Sequence, residues 1–145
     1  MSEKRLTLEL ITPEKIAWSA SADFVVLPAF EGEMGVLPGH QPFLVQLTAG
    51  EVRVTDNGQV KSFAVSGGFA EVKDDEVSLF AETAEAAELI DAERARQALE
   101  RVKRAAAQTG ADSLQSAEME AAMRRAQTRL RVSRRARTVP PHVGG

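Results

Sequence analysis

The chain has 145 residues, 43% of them hydrophobic, which suits one ordinary domain or a small domain with an appendage and argues against wholesale disorder. It contains no cysteine, which excludes a disulfide framework, a thiolate nucleophile and any cysteine-ligated zinc or iron–sulfur site. The net charge of −3 hides an asymmetry: residues 1–90 carry 6 Lys+Arg against 15 Asp+Glu, residues 91–145 carry 12 against 6, and so abrupt a reversal suggests two parts with different partners.

Met1-Ser2-Glu3-Lys4-Arg5 runs straight into an alternating pattern and lacks the apolar core of a signal peptide. No apolar stretch approaches the roughly 20 residues that span a bilayer. The expectation is a soluble, cytoplasmic protein, one still able to sit on a membrane complex. Leu6, Leu8 and Leu10 alternate with Thr7 and Glu9, the mark of a half-buried strand. Phe24-Val25-Val26-Leu27 and Phe43-Leu44-Val45 are short apolar runs that suit burial on both faces. Val52 and Val54 alternate with Glu51 and Arg53, Phe63 and Val65 follow a similar spacing, and Phe69 to Val72 and Val77 to Phe80 complete the set. Turn chemistry separates these runs. Asn57-Gly58 suits a type I′ hairpin turn, in which both central residues take positive φ. Leu37-Pro38-Gly39-His40 fits a type II turn, and Asp74-Asp75-Glu76 is a further polar loop. Short strands with turns at regular intervals predict a β-sandwich or barrel.

From about Glu82 the period changes. Ala95, Ala98, Leu99, Val102 and Ala106 fall at helical spacing after Asp91, a candidate N-cap, and before Gly110. Met119, Met123, Ala126 and Leu130 form a second stripe, so two helices joined through Thr109-Gly110-Ala111-Asp112 predict an antiparallel αα-hairpin. Alanine-rich stripes remove little apolar area, at ~25 cal/mol per Å², so this hairpin is expected to be held weakly and to detach without unfolding the rest. Val139-Pro140-Pro141-His142-Val143-Gly144-Gly145 has no periodicity and is expected to be disordered. The predicted division is a sandwich over 1–86, a hairpin over 87–133 and a tail over 134–145.

The most distinctive run is Gly32-Glu33-Met34-Gly35-Val36-Leu37-Pro38-Gly39-His40-Gln41-Pro42. It resembles the Gly-Glu-x-Gly-x-x-Pro-Gly-His-x-Pro signature of the epsilon subunits of bacterial F-type ATP synthases. Val65-Ser66-Gly67-Gly68-Phe69-Ala70-Glu71-Val72 resembles that family's second marker, and Ala81-Glu82-Thr83-Ala84-Glu85 its bridge from sandwich to helices. Order and spacing agree from about Leu6 to Val132. The resemblance implies an α+β chain with an N-terminal β-sandwich of about ten strands and a C-terminal two-helix hairpin. It implies a non-catalytic rotor subunit on the cytoplasmic face of the bacterial plasma membrane, peripheral to it, coupling proton flow to ATP synthesis. The implied partners are the gamma subunit, the proton-translocating ring, and the alpha and beta subunits of the catalytic head. Glu33 and His40 match positions in the ring-facing loop region. Read without the resemblance, Glu33 is a solvated surface charge beside turn-building glycines and prolines.

Ile90-Asp91-Ala92-Glu93-Arg94-Ala95 resembles the Ile/Leu-Asp-x-x-Arg-Ala motif by which some family members bind ATP. Glu85, Arg101, Arg125 and Arg129 match further positions. Arg94 and Arg101 share one helix face and Arg125 and Arg129 another, so a folded-back hairpin can bring arginine forks together on phosphates. The resemblance thus implies no required cofactor, and ATP only as a sensed regulatory ligand. Asp91 as a plain N-cap and Arg94 as a solvated charge remain the alternative, and no P-loop is present to cradle phosphates. Arg124, Arg125, Arg129, Arg131, Arg134, Arg135 and Arg137 follow one another with no acidic residue between them. The resemblance implies that an extended second helix, with Arg124, Arg131, Arg134 and Arg135 foremost, reaches acidic segments of the catalytic head and blocks rotation; a solvated basic face is the alternative. Beyond Val132 the chain departs from the family pattern.

Other classes fare worse. Ser66-Gly67-Gly68 lacks the preceding Gly-Asp of a serine-protease loop, and His40 and His142 make neither a triad base nor a metal cluster. A nucleic-acid or anionic-lipid binder could use the arginine run, but the helical half has no aromatic residue for base stacking and the sandwich is acidic. A regulator acting through the hairpin alone would not need its sandwich for assembly.

Overall fold

A computed structural model describes residues 4–14, 16–108 and 113–138. Ten strands come first: β1 (Leu6–Ile11), β2 (Ile16–Ala22), β3 (Phe24–Ala29), β4 (Gly32–Val36), β5 (Phe43–Leu47), β6 (Gly50–Asp56), β7 (Gln59–Val65), β8 (Gly68–Lys73), β9 (Glu76–Ala81) and β10 (Ala84–Ala86). A 3-10 turn, Ala87–Leu89, leads into helices α1 (Ala92–Gln108) and α2 (Ser113–Thr138).

The strands follow the order β10-β7-β6-β3-β5-β8-β9-β1-β2, with β4 beside β3. Every pairing is antiparallel except β1 with β9, where Thr7 to Ile11 run alongside Glu76 to Phe80. The sheet folds over at the single rung Ala29↔Leu47 between β3 and β5, giving two layers. Period-2 alternation then sends Leu6, Leu8, Val25, Leu27, Val52, Val72 and Leu79 into one shared core, each at most 1% exposed. Burying each such Leu or Val stabilises by roughly 1.5–3 kcal/mol.

Seven strands follow the pattern read from the sequence, and the type I′ turn is formed, with φ of 52° at Asn57 and 81° at Gly58. The other three gave little signal. β2 is mostly alanine and serine around Trp18, β4 lies inside a glycine-rich run, and β10 has only three residues. One expectation is corrected: Phe43-Leu44-Val45 is not buried on both faces, because nothing in the described chain covers the outer side of β5, and Leu44 is 69% exposed there.

Gly68 opens β8 against the end of β9. A Cβ at this position would stand 1.9 Å from the Phe80 carbonyl oxygen, at φ 129°. The second family marker is therefore a point of close backbone approach between two paired strands. The Ser66 N–H donates to the Thr83 carbonyl (3.2 Å) and the Thr83 N–H to the Ser66 hydroxyl (3.0 Å), tying this point to the start of β10.

The hairpin lies on the outer face of β6 and β7, making a third layer. Its apolar contact with the sandwich is small: Ala64, Ala87, Ile90, Ala95 and Val132, with Leu130 packed against them. The expected stripe on α1 is present, with Ala95 and Leu99 buried. Helix α2 continues to Thr138, past residue 133, the expected end of the hairpin. The expected linker over 109–112 and the end of the chain over 139–145 lie outside the described residues, as does the helix stop assigned to Gly110.

Candidate functional site

Two of the residues in the ATP-motif resemblance have structural work. The Asp91 carboxylate accepts from the Arg94 N–H at 3.1 Å and its carbonyl from the Ala95 N–H at 2.9 Å, so Asp91 caps α1. Ile90, 7% exposed, is a core residue of the hairpin contact. Three others converge. Glu85 on β10 accepts both limbs of the Arg129 fork, at 2.6 and 3.1 Å, and Arg125 lies one turn back along α2. These three line a cleft of about 340 Å³ together with Ser66, Glu82, Thr83 and Thr128. Arg94 and Arg101 are exposed on α1 and do not line it. The cleft thus offers two guanidinium groups and three hydroxyls to a phosphate, but also two carboxylates, one already engaged with Arg129.

A second constellation, not anticipated from the sequence, lies further along α2. Glu51 on β6 is only 3% exposed because α2 covers it. Its carboxylate accepts the Arg135 fork at 2.8 and 3.0 Å and a third bond from Arg53 at 3.2 Å. Arg53 also gives a two-pronged bond to Glu33 at 2.7 and 3.2 Å. Burial pushes the Glu51 pKa upward, but the hydrogen bonds from Arg135, Ser62 and Arg53 outweigh it and hold the carboxyl below its usual range. The Glu33 carboxyl is lowered as well, chiefly by Arg53. A charge buried under a helix needs a well-formed partner, and the Arg135 fork supplies one. The alternation of Val52 and Val54 with Glu51 puts Glu51 on the outer face of β6, and a signal that this face is covered exists only in Arg135, 84 positions later.

His40, the other expected ring-facing residue, sits in the Leu37–His40 turn with its N–H donating to the Leu37 carbonyl at 3.2 Å. Its ring lies 4.8 Å from that of Phe43. The Asp75 carboxylate in the β8–β9 turn accepts the Gly39 N–H at 2.6 Å, so two loops at this end brace each other. Glu33 is not part of this turn; it lies on β4. Arg124, Arg131 and Arg134 are exposed on α2, whereas Arg135 is engaged by Glu51.

The outer face of the second layer carries three exposed apolar side chains set among Gln46, Glu71 and Ser78, and no described residue covers them. Leu44 on β5, Phe69 on β8 and Phe80 on β9 are 69%, 52% and 45% exposed, and Phe69 and Phe80 face each other across the strands. Aromatic residues at outward positions of alternating strands were the sequence signal for this face. Regular sheet surface of this kind marks an interaction site more often than chance exposure does. Among the described residues no group of three or more His, Cys, Asp or Glu is placed to hold a metal ion, and no helix is long and apolar enough to cross a membrane.

Residues 5–87 match the family described as ATP synthase, Delta/Epsilon chain, beta-sandwich domain. Over 130 residues, covering 90% of this chain and 96% of the relative, the sequence is 47% identical to the ATP synthase epsilon chain of Nitratidesulfovibrio vulgaris (strain DP4). The chain belongs to the ATP synthase epsilon-chain family. The epsilon chain of Dehalococcoides mccartyi (strain CBDB1) is 40% identical over 136 residues, 94% of this chain and 97% of the relative. Among solved structures, a chain of the Euglena gracilis mitochondrial ATP synthase OSCP/F1/c-ring assembly matches with a TM-score of 0.74 and 30% identity, over 86% of this chain and 78% of that one. A chain of the Tetrahymena thermophila mitochondrial ATP synthase central stalk/c-ring matches at TM-score 0.58 over 95% of this chain and 100% of that one; at 15% identity this likeness concerns the fold. As an epsilon-family chain it is a non-catalytic subunit, the reading that the sequence's lack of a nucleophile and acid–base pair had suggested.

Proposed function

We propose that the chain is a rotor subunit of a proton-translocating F-type ATP synthase, with its sandwich fastening the central stalk to the ring and its hairpin acting as a brake on ATP hydrolysis. The observation that carries the rotor reading is the 47% identity to an epsilon chain across 90% of this chain, spanning sandwich and helices alike. The Leu44–Phe69–Phe80 face is the surface we assign to the gamma subunit, since a partner buried throughout the life of a complex takes apolar contact. Glu33 and the braced turn at His40 are assigned to the polar loops of the ring. Arg124, Arg131 and Arg134 are assigned to acidic segments of the alpha and beta subunits, reached once α2 leaves the sandwich. On this reading the chain works at the cytoplasmic face of the bacterial plasma membrane, peripheral to it. Engagement of Arg129 and Arg135 by sandwich carboxylates speaks against the arginine run as a nucleic-acid surface.

The test compares the full chain with one ending at Glu88 on a reconstituted catalytic head and stalk. Equal binding with faster ATP hydrolysis on truncation supports both roles. Equal binding with unchanged hydrolysis removes the brake and keeps the rotor, and absence of binding by either form would falsify the assignment.

A second reading, ATP as a sensed ligand, draws on the cleft between Glu85, Arg125 and Arg129. Its volume is at the lower end of the range of small-molecule sites, roughly 300–1,000 Å³. ATP binding there raises the thermal midpoint of the full chain, and Arg125→Ala abolishes that rise; an equal rise in the variant places the nucleotide elsewhere.

A further inference from the structure

Four side chains form one continuous row: Glu33, Arg53, Glu51 and Arg135. Its ends are accessible, with the Glu33 side chain 57% and the Arg135 side chain 48% exposed, while Glu51 in the middle is buried. The row carries two negative and two positive charges. Arg53 is divided unequally between its neighbours. Both of its terminal nitrogens reach Glu33, and only Nη1 reaches Glu51, at the longer distance of 3.2 Å. Glu51 Oε1 accepts from Arg53 and from Arg135 Nη2, so the two arginines share one oxygen.

This geometry makes the hold on α2 depend on what Glu33 is doing. With Glu33 bound to Arg53, Glu51 is left mainly to Arg135. When Glu33 is withdrawn, Glu51 is the only carboxylate left to the Arg53 fork in this row, and a net positive charge remains beside Arg135. Two guanidinium groups then compete for one buried carboxylate and repel each other. We propose that this row is a relay: a cationic group of a partner that captures the Glu33 carboxylate turns Arg53 onto Glu51 and releases Arg135, and with it the C-terminal part of α2, from the sandwich. The choice of ring or stalk as that partner rests on the rotor reading above; the wiring itself does not.

The relay predicts opposite signs for its two middle-distance perturbations. Removing the Glu33 charge loosens the hairpin, whereas removing the Arg53 charge tightens it, because Glu51 and Glu33 then face only the arginines of α2, Arg135 and, near Glu33, Arg131. A purely structural role would loosen the hairpin in both cases. Because the chain has no cysteine, Gln59→Cys and Gln127→Cys give the only two labelling sites, one on β7 and one on α2, both exposed. Spin labels at these sites read the docked and undocked populations of the isolated full chain, with salt raised until both distances appear. Glu33→Gln lowers the docked-to-undocked ratio about three- to ten-fold and Arg53→Gln raises it by a similar factor. In the Arg53→Gln background Glu33→Gln loosens the hairpin much less than it does in the parent chain, because only the direct attraction of Glu33 for Arg131 and Arg135 is left to lose. Arg135→Gln lowers the ratio throughout, which shows that the labels report this contact.

An unchanged ratio for Glu33→Gln, loosening by Arg53→Gln, or an equal Glu33 effect with and without Arg53 each overturns the relay. So does insensitivity to Arg135→Gln. The measurement needs no other subunit, so its failure leaves binding to head and stalk standing, and failure of that binding leaves the relay with a different cationic partner.

Discussion

At Gly68 the backbone of β8 passes so close to β9 that a single methyl group has no room. Gly68→Ala therefore costs roughly 4 kcal/mol or more and is expected to abolish soluble expression or lower the unfolding midpoint drastically. Gly58→Ala is the control: its Cβ meets nothing within 4 Å, so only the positive φ is penalised, at about 1 kcal/mol. Asp91→Ala removes a cap and costs about 1 kcal/mol, seen as faster amide exchange in the first turn of α1 with the sandwich unchanged. Residues of this kind were readable in the sequence where chemistry is local. Asn57-Gly58 and Asp91 act on atoms within three positions, so residue type and spacing announce them. Gly68 announced itself only through a resemblance, because its constraint comes from Phe80, twelve residues on.

Among elements, the contrast is between the sandwich, held by a Leu- and Val-rich core, and the hairpin, held among the described residues by a small apolar contact and by ion pairs that include Glu85–Arg129 and Glu51–Arg135. The alanine stripe made a weak apolar hold legible in advance. The ionic part was not legible, since Glu51 and Arg135 are distant in sequence and either alone reads as a surface charge. That part makes hairpin docking sensitive to acid. The Glu51 pKa is depressed in the docked state below its ordinary 4.5, so its contribution is complete above the ordinary value and is lost as pH falls through the depressed one. The groups facing it are Arg135, Ser62 and Arg53, with Glu33 behind Arg53. Docking measured between labels on β7 and α2 is expected to be flat above about pH 5 and to fail in more acidic solution. The single tryptophan, Trp18, packed 4.9 Å from Phe63 in the sandwich, reports separately on the sandwich. Docking should fail before its fluorescence changes; simultaneous loss of both signals would mean that the carboxylate does not govern the hairpin.

For the whole molecule, the acidic first part and basic last part looked like surfaces for different partners, and they prove to be partly partners of each other through Glu85–Arg129 and Glu51–Arg135. Whatever holds the hairpin once it has been released therefore offers carboxylates in exchange, which matches the acidic segments proposed on the catalytic head. The apolar face sits on the opposite layer from the hairpin, so a subunit bound there does not obstruct that exchange. Phe69→Ser with Phe80→Ser is expected to reduce affinity for the stalk at least about tenfold while the unfolding midpoint shifts little, because both side chains are already half-exposed; a lowered midpoint with unaltered affinity would reassign the face to folding. The parallel pairing of β1 with β9 has a consequence during synthesis. The first strand waits for the ninth, some seventy residues later, before its second edge is covered, so a growing chain shorter than Ala81 cannot close its sheet on the ribosome. The hairpin emerges only after that closure can occur, and its arginines meet carboxylates already set in place.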